Sequence, residues 1–560
     1  MEREVEAGER VAVGRALGRR GIARATLTIL VITAVSKLFG FAREAAIGAA
    51  FGASRVVDAY LVATNIPILF FAAVNAAATS VIIPNYARVR EREGEEEALR
   101  YANAALILIS VGLIAVTAAS ELLAPWLVGW MAPGFGPQER ALTAGLTRIL
   151  LPALLFQSLA GWAAGILESN QHFAAPAAIG IPYDILIVLG ALVGGIPVAA
   201  RWGPEAGVAF LAAGTLLGSA SQLLIQLPFL RRHGWRFRWV WAPGMPAIVE
   251  SGRMLVPVLI SSGANAVNLF VDRLLASWLA AGSIAALNYG NRLYGVPAGL
   301  LVTPLVTVLY PTFSAQTAAE EMDAFRNGVR RGLGLMAAVT VPAVAGMVLL
   351  RYEIVRAVYE RGAFDARATG MTAVAFALYG LSLPGGGWSL LLTRAFWSLR
   401  DSLTPMWVGV ATVAINVGLN LVLVRIIGLA GLALSTSVAT TAGGFLLLLL
   451  LRRRTGPLGG RSLAVEVGKS LLASAAMAMA LAGLQRLQPA ARLAHLLGRN
   501  PAAPGSLVDL LAVALVIVAG IAVYGAAAAL LRMEVAAFVT ETVGGRIGRR
   551  TGSAPAEGRP

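Results

Sequence analysis

Residues 429–454 read LAGLALSTSVATTAGGFLLLLLLRRR: 23 positions without a charge, then Arg452, Arg453 and Arg454 in succession. A hydrocarbon core about 30 Å thick is crossed by about 20 apolar helical residues. The stretch is long enough to span a bilayer, and the arginines mark the side on which it stops. Working outward, apolar runs of similar length recur at 25–50, 56–87, 101–130, 143–167, 176–196, 206–230, 250–279, 284–314, 333–359, 369–393, 402–424, 464–485 and 507–532. Composition agrees: 57% of the 560 residues are hydrophobic and 14% charged, against about 25% charge in a soluble domain. Water is not the main solvent of this chain.

The gaps between the runs differ in charge. Alternate gaps, beginning with the N-terminal segment (1–24, 88–100, 168–175, 231–238, 315–332, 394–401, 452–461, 542–560), hold 27 arginines, and the intervening gaps hold 9. Lys and Arg concentrate on the cytoplasmic side of membrane proteins, which predicts that both termini are cytoplasmic. The net charge of +16 comes largely from these loops and reads as membrane orientation, with no nucleic-acid partner expected. Segment 1–24 precedes an apolar run longer than a signal-peptide core and without a cleavage site, so it is expected to be retained.

Two parts of the chain echo one another. Ala53-Ser54 and Ala59-Tyr60 are answered 229 positions later by Gly282-Ser283 and Asn288-Tyr289. At the same offset Ala132-Pro-Gly-Phe135 meets Arg361-Gly-Ala-Phe364, and Ala175-Pro176 meets Thr404-Pro405. Ala206-Gly-Val-Ala209 and Ala430-Gly-Leu-Ala433 lie 224 apart, implying a short deletion. A repeat of about six spans predicts two parallel lobes related by an axis along the membrane normal, as in carriers that rock two halves around a central site.

The expected fold is therefore an all-α polytopic membrane protein of about fourteen transmembrane helices, two parallel six-helix lobes plus two C-terminal helices. Its parts are a cytoplasmic N-terminal segment (1–24), an N-lobe (25–230), a cytoplasmic linker (231–249), a C-lobe (250–451), two further helices (464–532) and a cytoplasmic tail (533–560).

A charge inside a span costs about 2.5 kcal/mol or more, so each is a functional candidate. The first span carries Lys37, Arg43 and Glu44, and Asp58 opens the second; Asp272, Arg273 and Arg292 stand at the matching places of the second half. At 3.6 residues per turn Lys37 and Glu44 share a face, with Arg43 about 100° from Glu44. Two cationic clusters facing one cavity suit a phosphate, to which guanidinium offers a planar fork and ammonium a point charge. The alternative is internal salt bridging or snorkelling, Lys37 or Arg43 with Glu44 or Asp58.

A second group is polar without being cationic. Asn416 and Asn420 share a helix face, with Asp272 and Thr436 on other spans. Such oxygens suit a small hard cation, and equally suit hydrogen bonding between helices.

Zero cysteines excludes disulfides and thiolate metal sites. His172, His233 and His495 fall in scattered loops, a poor start for a metal or catalytic site. No Walker-type phosphate loop occurs.

The run Ser36-Lys-Leu-Phe-Gly-Phe-Ala-Arg-Glu44, then Phe51-Gly-Ala, Asp58-Ala-Tyr, Asn65-Ile-Pro67, Ala132-Pro-Gly-Phe135, Gly282-Ser-Ile-Ala-Ala-Leu-Asn-Tyr-Gly-Asn-Arg-Leu293 with Pro297, and Gly362-Ala-Phe364, resembles the lipid II flippases of the MurJ/MviN family. These belong to the multidrug/oligosaccharidyl-lipid/polysaccharide exporter superfamily. The resemblance implies a multi-pass protein of the bacterial inner membrane that carries the undecaprenyl-pyrophosphate-linked peptidoglycan precursor from inner to outer leaflet by alternating access.

It further implies substrate binding by Lys37, Arg43, Glu44, Asp58 and Arg292, a lipid-tail groove formed by the last two helices, and contacts with membrane lipids and cell-wall synthesis proteins. In members with a sodium site the ligand positions match Asp272, Asn416, Asn420 and Thr436, so sodium is the expected coupling ion; no resident cofactor and no catalytic residue are implied. The chain departs from the family pattern at Phe71 and Ala72, where arginine is common, and at Lys37, Glu44 and Asn420, where arginine, aspartate and a carboxylate are usual. A cavity poorer in charge also suits another polyprenyl-pyrophosphate-linked oligosaccharide. A drug antiporter would have twelve spans and an acidic cavity, and a membrane enzyme would need more than the isolated Asp365 and Asp401.

Overall fold

A computed structural model describes residues 19–77, 81–486 and 507–535, with side chains for all of these but 19–30, 68–77, 256–267 and 507. Residues 1–18, His495, the tail beyond 535 and the side chains of Phe71 and Ala72 lie outside the described residues. Among the described residues there is no β-strand. In hydrocarbon a helix satisfies every backbone N–H and C=O within one segment, and the apolar runs take that form.

The first unit, Met1–Ala281, contains α1 (Arg19–Phe51), α2 (Arg55–Ala77), α3 (Ile83–Glu93), α4 (Glu95–Met131), α5 (Pro137–Leu150), α6 (Ala153–Ser169), α7 (Gly180–Val193), α8 (Pro204–Leu224) and α9 (Pro246–Ala276). The second, Gly282–Pro560, contains α10 (Ser283–Pro297), α11 (Thr303–Ala318), α12 (Met322–Leu349), α13 (Arg351–Tyr359), α14 (Ala366–Gly380), α15 (Leu383–Ser398), α16 (Leu403–Ile427), α17 (Leu429–Thr455), α18 (Gly460–Arg486) and α19 (Leu507–Leu530).

Ten helical segments among the described residues are long and apolar enough to cross a membrane, and eleven if α14 and α15 count as one bent span. The expected spans at 25–50 and 56–87 are helical where described and that at 250–279 is helical to Ala276, and each runs through residues whose side chains lie outside the described set. Leu122, Trp130, Leu300, Val308, Met479 and Leu530 are exposed on the helices, as a lipid-facing surface requires. The chain is a multi-pass, all-helical membrane protein.

The run expected as one piece at 369–393 is two helices meeting at 41°. Pro384 in the first turn of α15 has no N–H to continue the ladder from α14. The sequence repeat is carried by helix boundaries: α5 starts at Pro137 and α14 at Ala366, 229 positions apart, each after a turn that buries Phe135 or Phe364.

In the first unit α9 packs against α2 and α4; its Ser251 hydroxyl is met by Asn85 Nδ2 at 2.7 Å and by the Tyr101 hydroxyl at 2.8 Å. In the second, α18 packs along α12 and α19 along α18, where the Tyr524 hydroxyl donates to the Ala338 carbonyl at 2.6 Å.

Candidate functional site

The charged cluster of the first unit depends on how closely α7 approaches its neighbours. A Cβ at Gly194, just past α7, would collide with the Gly207 carbonyl, and one at Gly214 would sit 2.7 Å from the Leu186 carbonyl. Only the absence of side chains lets α7 and α8 touch backbone to backbone, a common device in membrane bundles. The opposite side of α7 lies along α1.

This packing sets Asp184 against Arg43. The guanidinium forks: Nη1 donates to Asp184 Oδ1 at 2.7 Å and Nη2 to Glu44 Oε1 at 2.9 Å. The Arg43 side chain is 15% exposed and both carboxylates 7%. The Tyr183 ring completes the pocket, its centroid 5.7 Å from Arg43 Cζ, a distance at which a cation is attracted to the ring face. Gly40 lies beside it, where a Cβ would be 3.4 Å from Asp184 Oδ2. Nearby on α2, the Tyr60 hydroxyl shares a 2.8 Å hydrogen bond with Thr215 Oγ1. Asp58 is buried in the first turn of α2, where the helix N-terminus favours a negative charge.

Of the internal pairings open to Lys37 and Arg43 with Glu44 or Asp58, the structure shows Arg43 with Glu44, the same guanidinium also reaching Asp184. Lys37 is exposed. Asp184 and Tyr183 are the residues that sequence reasoning passed over, although a single carboxylate in the apolar run 176–196 was itself a signal. Two carboxylates on one guanidinium give the triad a formal charge of −1.

In the second unit Arg292 lies on an exposed face of α10. Asn416 and Asn420 on α16 are buried. Asn420 Nδ2 donates to Asn416 Oδ1 at 2.9 Å, and Asn416 Nδ2 to Thr436 Oγ1 of α17 at 3.4 Å. Asp272 is half-buried on α9 of the first unit.

The isolated aspartates serve as helix caps. Asp365 accepts the Ala368 N–H at 2.8 Å, and Asp401 accepts the Thr404 N–H at 3.0 Å while pairing with Arg454. The Thr404 N–H, then its hydroxyl and Arg454, hold the Asp401 carboxyl below the usual carboxylate range. Two histidines scattered in sequence meet in space: the rings of His172 and His233 are 5.1 Å apart, and burial, with His233 nearby, lowers the pKa of His172.

Charged groups held between helices of a polytopic bundle are the site's geometry, and solved structures agree on the fold. The fold is similar to the inward-facing conformation of a multidrug resistance MATE family transporter of the MOP superfamily, with TM-score 0.62 and 14% identity over 77% of this chain and 98% of that one. It is similar also to a structure described as lipid II flippase MurJ in its inward closed conformation, with TM-score 0.72 and 21% identity over 90% of this chain and 98% of that one.

The sequence is more specific. Residues 47–497 match the family model for the lipid II flippase MurJ, and the chain belongs to that family. A probable lipid II flippase MurJ of Rhizobium tropici is 29% identical over 74% of this chain and 78% of its own length. The family match begins just after Arg43 and Glu44 and ends before α19.

Proposed function

We propose that this chain carries lipid II, the polyprenyl-pyrophosphate-linked peptidoglycan precursor, from the inner to the outer leaflet of the bacterial inner membrane, both termini being cytoplasmic. The observation that supports this reading most directly is the forked Arg43, a guanidinium held within the bundle by Glu44 and Asp184. A pyrophosphate offers the same planar recognition with more charge, so it exchanges with the carboxylates instead of entering an empty site. Release restores the internal pairs, and substrate binding is thereby tied to a rearrangement of α1 against α7. A ligand shifts a conformational equilibrium only through its differential affinity for the two states, and exchange of partners supplies one.

Arg292 and Lys37 contribute further cations, and Asp58 accompanies Arg43 in its unit. The outward faces of α18 and α19, with Leu472, Met479, Val518 and Ile521 exposed, suit the isoprenoid tail. Asn416, Asn420 and Thr436 offer neutral oxygens to sodium as coupling ion. Transport of this kind needs no covalent step.

One sequence observation favours a second reading, another polyprenyl-pyrophosphate-linked oligosaccharide: Phe71 and Ala72 stand where arginine is common in the family. Replacement of a lipid II flippase in a depletion strain decides between them. Growth with normal outer-leaflet lipid II supports the first reading, and lysis despite membrane insertion rejects it.

A further inference from the structure

The segment Gly234-Trp-Arg-Phe-Arg-Trp-Val-Trp241 alternates aromatic and basic residues before Val240 and runs beside α4 without helical structure. Buried Asn103 of α4 holds it: Nδ2 donates to the Arg236 carbonyl at 3.2 Å, and Oδ1 accepts the Arg238 backbone N–H at 3.1 Å. One amide thus pairs with the backbone as a neighbouring strand would. Side chains of an extended segment point alternately to opposite sides, and here Trp235, Phe237 and Trp239 line a groove of about 330 Å³ against Ile107, Leu159 and Leu223.

The groove is apolar, but its surroundings are not neutral. Arg231, Arg232, Arg236 and Arg238 are all exposed; Glu96 reaches Arg238 at 3.9 Å with both ends in solvent, and Glu95 Oε1 lies 3.7 Å from where a Cβ of Gly234 would be. Alternation turns Arg236 and Arg238 away from the groove floor, and both are exposed beside it in sequence. Within the wall the Trp162 and Trp235 rings meet edge to face at 5.4 Å. Both indole N–H groups are buried without a hydrogen-bond acceptor. Trp residues collect at the membrane interface, and clustered arginines there attract anionic lipid.

We propose that this groove is a binding site for an anionic glycerophospholipid of the arginine-rich, cytoplasmic leaflet. One acyl chain lies against Trp235, Phe237 and Trp239, and Arg236 and Arg238 meet the phosphate. The assignment does not depend on which substrate the chain moves.

The test is photo-cross-linking of the full chain in nanodiscs with phosphatidylglycerol bearing an acyl-chain diazirine, and with the matching phosphatidylcholine. Phosphatidylglycerol should label residues 106–114 or 223–239 about tenfold more than phosphatidylcholine, and Arg236→Gln with Arg238→Gln should bring the two to parity. Ser110→Trp, which fills the groove, should remove the label; if that variant fails to fold, the exposed arginine pair still decides. Equal labelling by both lipids in the wild type overturns the proposal. So does label outside these segments, or displacement of the probe by undecaprenyl phosphate more readily than by unlabelled phosphatidylglycerol.

Discussion

Arg43 in the first unit is held by two carboxylates, whereas Asn416 and Asn420 in the second hold each other through neutral amides. Both clusters lie inside apolar helices, where an unpaired polar group is expensive, and they solve the problem differently. An ion pair gives a strong hold that only a comparably charged ligand can break. Amides give a weak hold that a small cation can reorganise, because the Asn416 oxygen can turn from the Asn420 N–H toward a metal. The first arrangement suits recognition of a phosphate, the second a bias by an ion.

The contrast breaks most readily at Arg43. Arg43→Ala leaves Glu44 and Asp184 facing each other at low solvent access, and removing one partner of a buried pair costs about 3–5 kcal/mol. The thermal midpoint in detergent should fall steeply and flipping in vesicles should stop. Adding Asp184→Asn to that variant should recover part of the midpoint. Further loss in the double variant would mean that the two residues are not coupled.

Arg292 provides a second case. It is exposed, so Arg292→Ala should change stability by no more than about 0.5 kcal/mol while abolishing flipping. A normal transport rate in that variant would remove Arg292 from the substrate's path.

The neutral cluster sharpens under Asn420→Asp. A formal charge among the amides should tighten sodium binding about tenfold, equivalent to about 1.4 kcal/mol, read as a sodium-dependent rise in the thermal midpoint larger than in the wild type. If sodium moves neither protein, these residues only join α16 to α17.

The smallest effect belongs to Asp401, outside the membrane. Its carboxyl is held below the ordinary range, so its contribution is present above the unfolded-state pKa and is lost as pH falls through the folded-state value. Asp401→Asn should therefore narrow the stability difference between neutral and acidic pH, by no more than about 1 kcal/mol for a cap. An identical pH dependence in wild type and variant would show that the cap carries no linked proton.

Arg43, Glu44 and Asp58 were legible because charge in an apolar run is conspicuous. Asp184 was equally conspicuous on its own span, but nothing local tied it to Arg43, its partner 141 positions away. The meeting of His172 with His233 was hidden for the same reason. Lys37 and Glu44 shared a face on paper; the structure pairs Glu44 with Arg43, whose guanidinium also reaches Asp184.

Length and hydropathy by themselves determined that this chain crosses a membrane many times as helices, since hydrocarbon forces each apolar run to satisfy its own backbone. Arginine placement supplied an expected orientation, and the repeat supplied boundaries that recur at Pro137 and Ala366. Which charges neutralise one another was decided only in three dimensions. It follows from the distance at which helices pass, and that distance is set where Gly194 meets Gly207 and Gly214 meets Leu186. A partner chosen by packing is not written in either residue's neighbours, because the energy that selects it arises only once both helices are in place.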